Sequence, residues 1–432
     1  MASLRADKGS VLLHLLDSTP NMKYDVIIVG GGPAGSVAGI NLADLKGRVL
    51  LLDRAQFPRV KPCGGGISYR VYDRFRYLTP VLRSVPTNLI NRVVLESPAG
   101  EIVDTSDSEP LYAMVRRYEF DAALLQECKR RGVEVLENCT ATNVDVRPDG
   151  VTITTSAGAT LDCDLVIGAD GVNSVVAIRS GLRDNWSDDC VAIDTTEESP
   201  YEQLTGPKDT MYVYYGFGNT YGYGYVFPKV NHINVGIGYV LSYYRAAVKS
   251  KPYENHQAFV SHLRREGVLT GSSDVSNFLT SLLPVGGPLK RISGDRVLVA
   301  GDAAGFVNGL TAEGIYYAMA SGEHAGKAAA QAVRAGKFDA ESLSSYDLAC
   351  DTEMGYELSK SVVLQKRLLG HPGRIDKIVK LARNNPRLQL LFTRFAVGRI
   401  SYGELKRTVI PRALPWYITY KVSKIWHKLR RS

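Results

Sequence analysis

The chain has 432 residues, 45% of them hydrophobic and 22% charged, the balance of a globular protein long enough for a large core or several domains. Collagen-like, disordered and disulfide-scaffold classes are excluded, and so is a polytopic membrane protein, because no run of 18 or more apolar residues occurs. The net charge of +8 is local: residues 366–432 hold 17 Lys or Arg against Asp376 and Glu404, a surplus of +15, and the remainder is −7.

Residues 11–16, VLLHLL, are too short for a signal peptide and read as a short helix, or as an extension before Met22, itself a candidate start. Residues 24–29, YDVIIV, form the apolar run of a buried parallel strand. The following GGGPAG sets Gly30, Gly32 and Gly35 in GxGxxG spacing. Gly30 permits the tight turn, Gly32 lets backbone approach a pyrophosphate, and Gly35 lets the helix pack on the strand. A helix running from Pro33 and Ala34 to Leu45 aims its amino end at the phosphates. RVLLLD is a second strand ending in Asp53, placed to accept from a ribose diol, with Arg54 beside it in the nucleotide-binding set. This order of elements marks a dinucleotide fold without separating NAD from FAD.

PCGGGIS, residues 62–68, places three glycines after Cys63 and leaves no bulk at Gly64 or Gly65 over a ring or flat conjugated substrate. Cys63 reads as a substrate-positioning group, a weak donor, an acid or an inert small residue; Arg59 and Lys61 are its basic neighbours in sequence. Residues 86–115 are hairpin-like. RRYEFDAALL, residues 116–125, leads a basic pair into an amphipathic helix over 119–131. GVEVLE and a hairpin at Asp149-Gly150 precede DLVIGADGVNS, a strand delivering Asp170 and Gly171 into a tight loop.

The tyrosine-dense strands come next. Alternation puts Tyr223, Tyr225 and Phe227 on one strand face, either an aromatic wall for a long apolar substrate or an ordinary sheet core. DRVLVAGDAAG delivers Gly301 and Asp302 to a small-residue helix, and Gly305, Gly309 and Gly314 leave backbone N–H groups accessible to an anionic ring. From about residue 340 the chain reads as helical. Residues 416–431 give a wheel with Ile418, Val422, Ile425, Trp426 and Leu429 opposite Lys421, Lys424, Lys428 and Arg431, fit for an anionic bilayer interface or for docking on the body. The six cysteines form no CxxC pair and the seven histidines no HxH or HExxH, so no metal site is expected, and a reducing compartment fits. No GxSxG elbow supports hydrolysis, and no motif pairs the basic end with nucleic acid.

Taken together these stretches resemble the flavoproteins of the hydroxybenzoate-hydroxylase type of fold and, within them, the geranylgeranyl reductase family. The resemblance rests on Gly30, Gly32, Gly35 and Asp53; on Arg117 before Phe120-Asp121; on Asp170-Gly171; on Gly301-Asp302; on KPCGGGIS; and on YGYVFPK, in which Tyr225 replaces the family's central tryptophan. It implies an α/β (α+β overall) architecture: a Rossmann-like FAD-binding layer interleaved with an antiparallel substrate layer and followed by a helical C-terminal region. The expected segments are 22–80, 117–180 and 295–336 for FAD, 81–116 and 190–285 for substrate, and 340–432 for the basic helical end. It also implies that Asp302 holds the flavin ribityl chain and that Cys63, Gly64, Gly65, Tyr223, Tyr225 and Phe227 surround the substrate. The implied reaction is FAD-dependent reduction of carbon–carbon double bonds in an isoprenoid chain, with NADPH or a protein electron donor as reductant; the alternative is an FAD monooxygenase of an aromatic or polyketide substrate. The expected partners are a lipidic small molecule and, through the basic end, an anionic membrane surface or an acidic donor protein. The expected location is cytoplasmic or peripheral at the inner membrane face.

Overall fold

The computed structural model describes residues 23–45 and 47–408; the helices expected at 11–16 and 416–431 lie outside them. Strand Tyr24–Val29 is apolar because it is covered on both faces: Val26, Ile27 and Ile28 are fully buried. It pairs in parallel with Val49–Leu52 on one side and Thr160–Gly168 on the other, and the sheet continues to Glu134–Leu136 beyond the first and to Val297–Val299 beyond the second. Register aligns Val29 with both Leu52 and Gly168, and Gly168 with Val299. Four parallel strands therefore stop on one line, the edge where open α/β sheets bind ligands. Helix Pro33–Leu42 rises from that edge, a turn shorter than expected. It crosses helix Ile315–Ala335 so closely that a Cβ at Gly322 would stand 2.2 Å from Ala34 O, and one at Gly326 2.6 Å from Ala38 O.

The second layer is a seven-stranded sheet in the order Phe278–Pro284, Val191–Pro200, His232–Val240, Tyr223–Pro228, Thr210–Tyr215, Arg92–Glu96, Ile102–Ser106. Alternation sorts its faces. Tyr214, Val226 and Ile237 pack with Phe259 and Leu263 of helix Pro252–Arg265, while Met211, Val213, Tyr225 and Phe227 form a separate cluster on the inner face. A three-stranded sheet of Gly66–Ser68, Tyr112–Met114 and Asn88–Ile90 lies apart from both.

Gly65, at φ +70°, turns residues 66–68 out of the nucleotide layer into the small sheet, and Ser293–Gly294 joins the nucleotide sheet ahead of residue 295. The C-terminal region is helical as read, over Ala340–Cys350, Tyr356–Leu368, Pro372–Arg383 and Pro386–Ala396. Its last two helices dock on the hairpin of strands 92–96 and 102–106. Asp376 accepts from Ser97 Oγ and Ala99 N, both at 2.8 Å, and Arg383, Arg394 and Arg399 pair with Glu101, Asp107 and Glu109.

Candidate active site

The aligned strand ends bring together residues far apart in sequence. Gly30, at φ +106°, leaves its strand with its N–H on Leu52 O; a Cβ there would overlap Ala169 O at 2.3 Å. Gly35 has equally little room, 1.8 Å from Gly30 O. Gly32 is different: the only heavy atom near a Cβ there would be Arg59 Nη2, at 3.6 Å. Space is thus held open at the start of a helix whose free N–H groups face it. Asp53, 7% exposed, accepts from Gly31 N at 2.7 Å and Ala55 N at 2.8 Å, which fixes its carboxylate beside the glycine turn.

Behind this turn lies a charge cluster. Arg117 binds fully buried Asp121 through two 2.7 Å bonds, and Arg59 Nη2 adds a third contact at 3.2 Å. Two guanidiniums on one carboxylate leave a net positive charge next to Gly32. Arg59 Nη1 is buried without a partner, and burial lowers the Arg59 pKa against the pull of Asp121. Asp302 follows Gly301 (φ +61°), whose N–H donates to Ser321 Oγ at 2.9 Å. Its carboxylate receives no hydrogen bond from the described residues; burial raises its pKa while Lys61 and Arg117 oppose the rise.

Lys61 and Arg117 carry the link from the nucleotide edge to the Cys63 loop. Cys63 is half-buried and its Sγ accepts from Gly65 N at 3.4 Å; burial lowers the Arg117 pKa, while Asp121 first and Cys63 next raise it. Gly64 lies flat against the aromatic strand: a Cβ would stand 2.9 Å from the Phe227 ring and 3.0 Å from Tyr225 Cε2. A Cβ on Gly65 would meet Val115 O at 2.1 Å and Lys229 Nζ at 3.2 Å. Tyr225 and Phe227 stack at 4.4 Å, and Tyr223 and Tyr215 continue the wall at 5.9 and 5.4 Å. Past Tyr223 and Tyr215 is an apolar cavity of about 100 Å³. Met211 and Val213 form its floor, Phe392 and Ala396 of helix Pro386–Ala396 its roof, and Thr311 of the 301–315 loop its near end.

A family model described as an FAD binding domain matches residues 23–353. Digeranylgeranylglycerophospholipid reductase 2 of Methanothermobacter thermautotrophicus is 30% identical over 363 residues, 81% of this chain and 89% of its own length. The chloroplastic geranylgeranyl diphosphate reductase of Arabidopsis thaliana is 31% identical over 358 residues, 78% of this chain and 72% of its own. The chain belongs to the geranylgeranyl reductase family of FAD-binding proteins. A solved geranylgeranyl bacteriochlorophyll reductase-like protein from Thermoplasma acidophilum shares the fold, with TM-score 0.77 and 20% identity over 89% of this chain and 98% of that one.

The geometry of this geranylgeranyl reductase family member fits FAD. The space over Gly32, the unpartnered Arg59 Nη1 and the unbonded Asp302 carboxylate supply a pyrophosphate cradle, a buried cation and an acceptor for hydroxyls. Gly171, at φ +81°, borders open space. Gly314 sits beside Asp302, a Cβ there lying 3.6 Å from Oδ1. Other expected residues do different work. Asp170 accepts from Ser174 Oγ, Val175 N and Val176 N, which ties its carboxylate to its own loop. The N–H groups of Gly305 and Gly309 are not accessible as expected: they donate to Asp302 O at 3.1 Å and Ser361 Oγ at 2.8 Å. Arg54 points out to solvent.

Sequence reasoning had given Arg59 no firm role and had not singled out Asp194 at all. Asp194 is 6% exposed on the inner sheet face and accepts from Tyr225 Oη at 3.3 Å. Among the described residues no cluster of His, Cys, Asp and Glu could hold a metal, and no helix is long and apolar enough to cross a membrane.

Proposed function

We propose that this protein reduces carbon–carbon double bonds in the isoprenoid chain of a lipid or prenyl substrate, with FAD as its redox group. The observation that carries the reading is the apolar cavity that runs from Tyr223 and Thr311 to the C-terminal helices. A chain lying there buries apolar surface at about 25 cal/mol per Å², and its neighbours at the near end are the aromatic wall and the loop that carries Asp302. Both relatives named above are reductases of geranylgeranyl compounds by name.

The residues divide the labour. Gly30, Gly32 and Gly35 with Arg59, Asp53 and Asp302 would hold FAD, which supplies a hydride when reduced. Tyr223, Tyr225 and Phe227 with Gly64 would align the alkene and exclude water. Cys63, held by Gly65 N, would line the same space as a positioning group. The reductant of the flavin is NADPH or an acidic protein donor. The exposed cations Lys366, Arg367, Arg374, Lys377, Lys380 and Arg387 surround the cavity-roofing helices and would seat the protein peripherally on an anionic membrane that holds the substrate.

Anaerobic mixing of reduced protein with geranylgeranyl lipids tests the reading. Flavin reoxidation with a gain of two hydrogens per double bond is the expected result. Reoxidation by oxygen alone, with an oxygen atom entering an aromatic substrate, would overturn it in favour of a monooxygenase.

A further inference from the structure

Saturating an alkene takes a proton as well as a hydride, and the inner sheet face contains a buried acid with no cation bound to it. Register sets Asp194 opposite Gly238 and Gly238 opposite Tyr223; it sets Thr196 opposite Gly236 and Gly236 opposite Tyr225. Two glycines thus separate the acid-bearing strand from the aromatic one, on one face. A Cβ at Gly236 would stand 2.2 Å from both Tyr225 Cζ and Oη. The bare glycine lets the ring lie across its strand and carry the hydroxyl to Asp194 Oδ2, while the same ring touches Gly64 and stacks on Phe227. Of the neighbouring acids, buried Glu197 is held by His256, Ser273 and Asp274 N, and the partly exposed Glu198 takes Lys229 and Asn234 on Oε1. Among the described residues Asp194 has the Tyr225 hydroxyl alone.

Resting on the reading of the substrate above, we propose that Asp194 is the proton reservoir of this site and that Tyr225 is the group that passes its proton to the substrate. As hydride adds to one alkene carbon, the phenolic O–H breaks and a C–H forms on the other carbon. The Asp194 carboxyl proton moves to the phenolate oxygen, and water later restores it. Alkene, hydride and proton sum to the saturated chain. The charge state suits the task. Burial pushes the Asp194 carboxyl up to about 7, with the Tyr225 hydrogen bond and the charge of Lys61 opposing it. Burial, then Asp194 and Cys63, hold the Tyr225 phenol neutral. Tyr223 is the other titratable group whose charge Asp194 disfavours. A general acid poised near the working pH is the efficient one.

The test has two arms. In apo wild-type protein, difference infrared spectroscopy should show a protonated carboxyl band that titrates near neutrality and is missing from Asp194→Asn. In single turnovers of pre-reduced protein, Asp194→Asn and Tyr225→Phe should slow substrate reduction about a hundredfold or more, flatten the loss of rate above neutral pH, and leave FAD affinity unchanged. Wild-type rate and pH profile in both variants, or a carboxyl that titrates only near pH 4, overturns the proposal. If wild-type protein reduces no isoprenoid, the substrate reading fails and the infrared titration alone decides whether Asp194 stores a proton. Should Asp194→Asn not fold, the Tyr225→Phe turnover and the wild-type titration decide.

Discussion

Arg59 offers a perturbation whose effects on cofactor and on folding have opposite signs. In the protein without ligand, Arg59 Nη1 is buried and unpartnered, and Nη2 shares Asp121 with Arg117. An unsatisfied buried donor costs about 1–3 kcal/mol. Arg59→Met removes that donor and leaves Asp121 its two 2.7 Å bonds from Arg117, so the apo protein should melt no lower than wild type. The same guanidinium is the group nearest the space over Gly32, and there it would form a charge-assisted bond to pyrophosphate worth roughly 1.5–3 kcal/mol. Its loss should weaken FAD binding about tenfold to a hundredfold, since 1.4 kcal/mol is a factor of ten. FAD fluorescence quenching gives the affinity, thermal denaturation of apo protein gives the stability, and the affinity loss should shrink as salt is raised. An unchanged FAD affinity would refute the placement of Arg59 at the pyrophosphate. Affinity and apo stability falling together would show that Arg59 is a strut for Asp121 and nothing more.

Three further substitutions follow from the same geometry. Gly236→Ala puts a methyl where the Tyr225 ring lies; overpacking should cost about 1–3 kcal/mol, read as a lower urea midpoint, and loss of the phenol's hydrogen bond, which opposes the effect of burial, should move the Asp194 titration upward. Ala396→Phe fills the cavity from its roof, and kcat/KM for long isoprenoid substrates should fall about tenfold or more while a short prenyl substrate keeps its rate. Glu353 is held down to about 2, by its His324 hydrogen bond first and Arg74 next. Its folded value lies below its ordinary 4.5, so its stabilisation is complete above pH 4.5 and is lost as pH falls toward 2. Glu353→Gln should therefore lower the melting temperature at neutral pH, and its difference from wild type should narrow across that window; a constant difference would show that the charge is not what stabilises.

The nucleotide half of this site was legible because its signals are local. A strand, a glycine at a positive φ that other residues rarely adopt, and an acid at the next strand end are each specified within a few residues, and the parallel register then aligns them without further instruction. The substrate half depends on which residues face each other across strands, and that is not written locally. VAIDTTEESP contains three acids. Period two separates Glu197 from Asp194 and Glu198, yet it does not say which set faces the cavity. The packing of helix Pro252–Arg265 decides, because His256 on that helix captures Glu197 and so turns Asp194 the other way. Whether Asp194 then meets lysine, as Glu198 does, or a lone phenol depends on the glycines at 236 and 238, which look like weak points of a strand until Tyr225 is seen lying over one of them. The C-terminal charge follows the same logic. A run of cations reads from sequence as one surface, but three of its arginines close onto Glu101, Asp107 and Glu109 of the hairpin. Those pairs clamp the helices that roof the cavity, and among the described residues it is the outward remainder that the proposed membrane contact would use. Part of the basic segment therefore builds the chamber, so neutralising Arg394, which pairs with buried Asp107, should disturb substrate selection, whereas neutralising Lys377 or Lys380 should change membrane attraction alone.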